Sequence, residues 1–309
     1  MSLSTPTGAA ATPVSAEPGQ ADATRGFFFA LTAYLMWGFL PLYMKAVAHI
    51  PSIEVLAHRI VWSVPVAGVV LLVLGRTGDI AAALRSPRTL LMAGVTASII
   101  AVNWLIYVWA IAVDRTVETA LGYYINPLVT VVLGAVLLGE RLSRMQIVAV
   151  GLAAAAVVVL TVDAGGLPWV SLSLAFSFAA YGYLRKTLPI GPSQGFFLEV
   201  LILCAPALLY VAWAEAAGSG HFLDDGNWWM LMFSGPVTAA PLILYAFGAK
   251  LLRFSTIGIM QYIAPTMIAA IGVFVFGEPF GPARIVAFAL IWTALALYTW
   301  SMFYGKREG

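Results

Sequence analysis

Apolar residues gather along this chain into long runs, separated by short breaks rich in Gly, Pro and charge. The runs cover residues 26–46, 54–74, 90–111, 118–138, 143–162, 167–184, 194–213, 227–248, 256–276 and 282–304. Each holds about 20 residues, enough for a helix to cross a ~30 Å hydrocarbon layer. Runs this long exclude strands, and no alternating barrel pattern appears. The pattern predicts an all-α integral membrane protein with ten transmembrane helices, five in each half. The breaks carry stop and start signals. Gly139 stands where a helix C-cap is expected, Ser143 can cap the next helix, and Pro282 suits the first turn of the last.

Two stretches match across the halves. Leu121-Gly-Tyr-Tyr-Ile-Asn-Pro-Leu128 runs on to Gly139-Glu140, and Met260-Gln-Tyr-Ile-Ala-Pro-Thr266 runs on to Gly277-Glu278. Tyr124 and Tyr262 lie 138 positions apart, as do Pro127 and Pro265, Gly134 and Gly272, Glu140 and Glu278, and Tyr107 and Tyr245. Eight identities fall in the 38 ungapped pairs from Asn103/Pro241 to Glu140/Glu278. This predicts an internal duplication: a first five-helix repeat over 25–163 and a second over 164–304. Residues 1–24 are Ser, Thr, Pro, Gly and Ala with little else. They lack the basic start and apolar core of a signal peptide and are expected to form a disordered tail. Residues 305–309 form the C-terminus.

Composition agrees with a bilayer as solvent, since hydrophobic residues make up 61% of the chain and charged residues 10%, against roughly a quarter charged in soluble domains. A net charge of +2 with scattered basic residues gives no nucleic-acid footprint. Cys204 is the only cysteine, which excludes an intramolecular disulfide and a thiolate metal cluster. The basic residues set orientation. Arg25, Arg76, Arg85, Arg88, Arg141, Arg144 and the later pairs at 185–186, 250/253 and 306–307 place 12 of 16 on one side; Lys45, Arg115 and Arg284 fall on the other. Both termini are therefore expected in the cytoplasm. An odd number of helices per repeat then inverts the second half, an arrangement found in secondary transporters.

Leu137-Leu-Gly-Glu-Arg-Leu-Ser-Arg-Met-Gln146, followed by an Ala/Val-rich helix, resembles the end of the first repeat in the EamA family of the drug/metabolite transporter superfamily. Further motifs are similar to its RarD-type members: Ala33-Tyr-Leu-Met-Trp-Gly38 with Pro41, Tyr43 and Lys45; His58-Arg-Ile-Val-Trp-Ser63; Asn103-Trp104; and Ala175-Phe-Ser-Phe-Ala-Ala-Tyr-Gly182 with Arg185-Lys186. Gln261-Tyr-Ile-Ala-Pro265 also fits, with Ala264 where the family pattern has Gly. The resemblance covers about residues 25–304. It implies a ten-helix carrier of small organic molecules in a bacterial-type inner membrane.

Several polar residues lie deep in the runs. Asn126-Pro127 stands roughly 12–14 Å into the fourth run at 1.5 Å per residue, and Pro265 is similarly deep in the ninth. Each proline frees a carbonyl, which membrane depth tolerates only inside protein or beside a wet cavity. The two are candidate hinges, with ordinary kinks as the plainer alternative. Tyr123, Tyr124, Asn126, Asn103, Trp104 and Tyr107 fall on helices three and four. Tyr245, Gln261 and Tyr262 are counterparts in the second half, and Trp37, Tyr43 and Tyr181 join from helices one and six. Together they are candidates to line one aromatic cavity for a small amphipathic substrate; interfacial belts also use Trp and Tyr. Arg59 and Glu199 are the ionisable residues deepest in the runs, which makes function the default expectation. Their depths differ by roughly 14 Å, which disfavours a direct salt bridge. Arg59 can alternatively snorkel outward. Glu199 can be a structural anion near Arg185 and Lys186, or a carboxylate that binds a coupling proton.

No Walker motif is present, and His49, His58 and His221 lack metal-ligand spacing. Neither enzyme chemistry, a cofactor nor a bound metal is expected. The expected partners are a small-molecule substrate and the lipid bilayer. A membrane enzyme on a lipid-linked substrate and a non-transporting scaffold are the alternative classes.

Overall fold

The computed structural model describes residues 20–138, 142–223, 226–252 and 254–304. The tail through residue 19, the 139–141 break, residues 224–225, Arg253 and residues 305–309 lie outside the described residues. Within them the chain is helical: α1 Gln20–Ala46, α2 Ser52–Val73, α3 Gly78–Leu84, α4 Pro87–Ala112, α5 Thr116–Leu138, α6 Arg144–Ala164, α7 Trp169–Thr187, α8 Pro192–Ala216, α9 Trp228–Leu251, α10 Phe254–Met260, α11 Ile263–Ala270 and α12 Pro282–Tyr304. A π-helical turn, Ile271–Val275, follows α11. Gln20–Thr24, expected in the tail, belong to α1.

Eight of these helices are long and apolar enough to cross a membrane: α1, α2, α4, α5, α6, α8, α9 and α12. The protein is thus an all-α, multi-pass membrane protein. The other two expected spans fall short of that standard for visible reasons. In α7, Ser171, Ser173, Ser177 and two tyrosines dilute the apolar run. The ninth run is broken into α10, α11 and the π-helical turn, with a turn at Gln261–Tyr262.

The outward faces carry Leu72, Val73, Val162, Leu209 and Phe274, side chains suited to lipid contact. Small residues let helices close on one another. A Cβ on Gly122 of α5 would lie 2.8 Å from the Ser171 carbonyl oxygen of α7, and one on Gly248 of α9 would lie 2.8 Å from the Ala30 nitrogen of α1. The contacts run α6 on α12, α2 on α8 and α9, α5 on α7 and α11, α1 on α9 and α11, and α4 on α7 and α8. Local caps follow the sequence signals. Ser143 and Gln146 form a reciprocal capping box on α6, and Gly165 ends that helix in the left-handed region at φ 65°. Pro282 opens α12.

One end of the bundle is tied by polar contacts between connecting segments. Lys45 pairs with Asp114 at 2.5 Å. Arg115 chelates Glu118 at 2.7 and 2.8 Å while its guanidinium lies over the rings of Trp109 and Trp169. Glu54 accepts from the His221 backbone N–H at 2.7 Å and meets its Nδ1 at 2.9 Å. Buried Glu278 accepts from the backbone N–H groups of Thr116 and Val117 at 2.6 and 2.9 Å, capping the start of α5.

Candidate functional site

Two buried charges organise the interior, and each is held by side chains from several helices. Arg59 of α2 is 3% exposed. Its Nε donates to Thr238 Oγ1 of α9 at 3.0 Å, and Thr238 in turn donates to the Ser234 carbonyl at 2.8 Å. Its guanidinium lies 5.1 Å from the ring centroid of Trp104 on α4. Tyr43, Tyr107 and Tyr123 are its electrostatic neighbours. The snorkelling alternative fails. Instead of reaching water, the side chain turns inward onto an aromatic face.

Glu199 of α8 is 1% exposed. Thr96 of α4 donates to its Oε1 at 2.7 Å, Tyr181 of α7 donates to its Oε2 at 3.0 Å, and Arg185 Nε stands 3.5 Å from Oε1. The Arg185 contact anticipated from the short α7–α8 connection is present, and no Arg59–Glu199 pair forms among the described residues. The two charges share a local plan: Tyr43 neighbours Arg59, Tyr181 binds Glu199, and these tyrosines are 138 residues apart.

The aromatic candidates separate into groups instead of lining a single cavity. Tyr107 packs on Tyr123 at 5.9 Å, Tyr123 on Phe178 at 5.9 Å, and Phe178 on Tyr181 at 6.2 Å. This file of rings joins the surroundings of Arg59 to Glu199. Asn103 holds it laterally, donating to the Leu174 carbonyl and Ser177 Oγ at 3.1 and 2.8 Å. Tyr123 reaches Asn103 Oδ1 at 3.5 Å, and Tyr43 donates to the Met230 carbonyl at 2.8 Å. A second group is Tyr34, Trp37 and Tyr245, with centroids 5.6 to 5.9 Å apart. A third brings the duplicated stretches face to face. Tyr124 stacks on Tyr262 at 6.4 Å and 21°, and shares a 2.5 Å hydrogen bond with Thr266. This pair borders a groove of about 550 Å³ whose walls include Trp292, Leu295 and Thr299 of α12. Asn126 belongs to none of these groups; Thr130 donates to its carbonyl at 3.0 Å. Gln261 is half-buried at the turn before α11.

The matched prolines differ. Pro127 lies inside an unbroken α5, whereas Pro265 is the third residue of α11, just past the Gln261–Tyr262 turn. The two candidate hinges therefore differ in setting: one lies within a continuous helix and the other follows a break. A proline in a first helical turn forfeits no intrahelical donor, so Pro265 stands at a helix start, while Pro127 stands within a continuous one. Thr238, Thr96, Phe178 and Thr266 were not legible as site residues, because each acts across helices. Tyr181, which also acts across helices, was a candidate from its place in the sixth run.

A model of the EamA-like transporter family matches residues 24–162. Protein RarD of Streptomyces exfoliatus is 43% identical over 285 residues, spanning 92% of this chain and 90% of its own. The uncharacterized transporter YojE of Bacillus subtilis is 39% identical over 290 residues, spanning 93% and 97%. A crystal structure of another protein superposes with a TM-score of 0.58 at 20% identity, covering 94% of this chain and 99% of that one. That likeness speaks for the fold.

Proposed function

Because the chain belongs to the EamA-like transporter family, in its RarD-type branch, we propose that it is a secondary carrier of a bacterial inner membrane. It exports or equilibrates a small organic compound by alternating access between two inverted five-helix halves, residues 25–163 and 164–304, with both termini cytoplasmic.

The observation that carries this reading is the match between helices at one offset. Moved by 138 residues, α1 falls on α7, α2 on α8, α4 on α9, α5 on the α10–α11 run and α6 on α12. Contacts then map onto contacts. The α1–α9 contact becomes α7–α4, α1–α11 becomes α7–α5, and α2–α9 becomes α8–α4, while α2–α8, α5–α11 and α6–α12 map onto themselves. A pseudo-two-fold of this kind, with buried polar groups between the halves, is the plan on which alternating access operates. The residues around Arg59 and Glu199, with the ring file between them, form the substrate path. The Gln261–Tyr262 turn and Pro265 form the flexing point.

Saturable counterflow in proteoliposomes tests the carrier, using a labelled compound whose level differs between deletion and overexpressing cells. Absence of flux for every such compound, or its chemical conversion, would overturn the reading. Reporter fusions after Gly309 and after Ala164 test inversion: a cytoplasm-active reporter is expected to work only at the first site and a periplasm-active one only at the second. The break also sets an order of effects. Pro265→Ala, which allows α10 and α11 to join, is expected to slow flux several-fold more than Pro127→Ala at equal abundance. Equal rates in the two variants count against the flexing point.

A further inference from the structure

Resting on that carrier reading, we propose that the transported compound is an organic monoanion, a carboxylate on an apolar or aromatic body, and that Arg59 and Tyr107 bind its charged end.

The argument begins with what Arg59 lacks. A guanidinium keeps its charge in proteins, and a buried charge without a partner is among the costliest features a membrane protein can carry. Among the described residues Arg59 has no ion-pair partner. Its Nε is satisfied by Thr238 and its flat face by Trp104. Its Nη1 is buried with no hydrogen-bond partner, and so is the hydroxyl of neighbouring Tyr107, itself 3% exposed. The other phenols nearby have partners: Tyr43 donates to Met230, and Tyr123 to Asn103. Two donors are thus left over on one side of α4, where Trp104, which carries the guanidinium, and Tyr107 stand three residues apart.

The same protein shows what a buried charge with a structural task looks like. Glu199 has Arg185 as its opposite charge and two hydroxyl donors besides. Arg59 has a hydrogen bond and a ring but no anion. A carboxylate supplies what is missing: one charge, and two oxygens for two donors. A neutral compound would leave the guanidinium uncompensated, and a cation would be repelled. A doubly charged phosphate would carry one charge more than Arg59 offsets. The surroundings of the donors are aromatic, with Trp104 against the guanidinium and Tyr123 against Tyr107, which suits an apolar or aromatic body.

The test uses the full chain in lipid nanodiscs, with thermal unfolding followed against benzoate, phenylacetate and indole-3-acetate, and against benzamide and sodium chloride at matched ionic strength. At least one carboxylate is expected to raise the unfolding temperature in a saturable way, with benzamide and chloride inert. Arg59→Gln is expected to weaken that response about tenfold or more, and Tyr107→Phe several-fold. Tyr107→Phe removes one oxygen and keeps the ring, so it decides the matter where Arg59→Gln does not fold. No response to any carboxylate, an equal response to benzamide, or a response unchanged in both variants overturns the proposal. Saturable counterflow of a neutral compound, undiminished in Arg59→Gln, also overturns it while leaving the carrier standing. Carboxylate binding without any counterflow supports the anion site and removes the carrier.

Discussion

Glu278→Ala is expected to destabilise the protein by about 3–6 kcal/mol, summing two hydrogen bonds to a charged acceptor at about 1.5–3 kcal/mol each. The first N–H groups of a helix have no partner within it. Here the carboxylate takes two of them, from Thr116 and Val117, in a buried setting. The negative charge also meets the positive end of the α5 dipole. Alanine leaves both donors without a partner, away from water. Glu278→Gln keeps one acceptor and is expected to lose about half as much, because its amide NH2 faces a second donor. Thermal unfolding of the three proteins in one detergent gives the order: wild type, then glutamine, then alanine. If alanine matches wild type, the cap contributes nothing to the fold.

The second large effect is at Glu199. Glu199→Gln is expected to cost about 2–4 kcal/mol. That is somewhat below the usual figure for breaking a buried pair, because the Arg185 side chain is still 16% exposed. Thr96, Tyr181 and Arg185 bind α4 and α7 to α8 through this carboxylate. Abundance and thermal stability should therefore fall, while the surviving protein keeps the pH dependence of its flux. The reverse result, with full abundance and flux indifferent to pH, would make Glu199 the coupling carboxylate instead.

The helices were legible because a bilayer imposes a length on every apolar run. Ser143 with Gln146, Pro282 at α12 and the Arg185–Glu199 pair were legible because they act within a few residues or across one short loop. The site was legible as residue types but not as a shape. Depth in a run tells how far Tyr124 or Tyr107 lies from the ends of its helix. It does not tell which neighbour the helix turns that ring toward. Tyr124 faces Tyr262 and Tyr107 faces Tyr123, so residues assigned to one cavity divide into three groups. Arg59 was visible as a buried charge, yet its Thr238 partner lies 179 residues away. Glu278 stood out only as a repeated letter; its task depends on α5, 162 positions earlier.

That separation bears on how the protein is made. Thr116 leaves the ribosome 162 residues before the carboxylate that caps it, a lag of roughly 10–30 s at ordinary synthesis rates. For that interval α5 is in the membrane with the start of its backbone unfinished, and Tyr124 has no Tyr262 to lie against. The helices up to α6 are thus a half-built intermediate, completed only when Tyr262 and Glu278 emerge, and a ribosome that stalls before them leaves an open helix end for quality-control proteases to find.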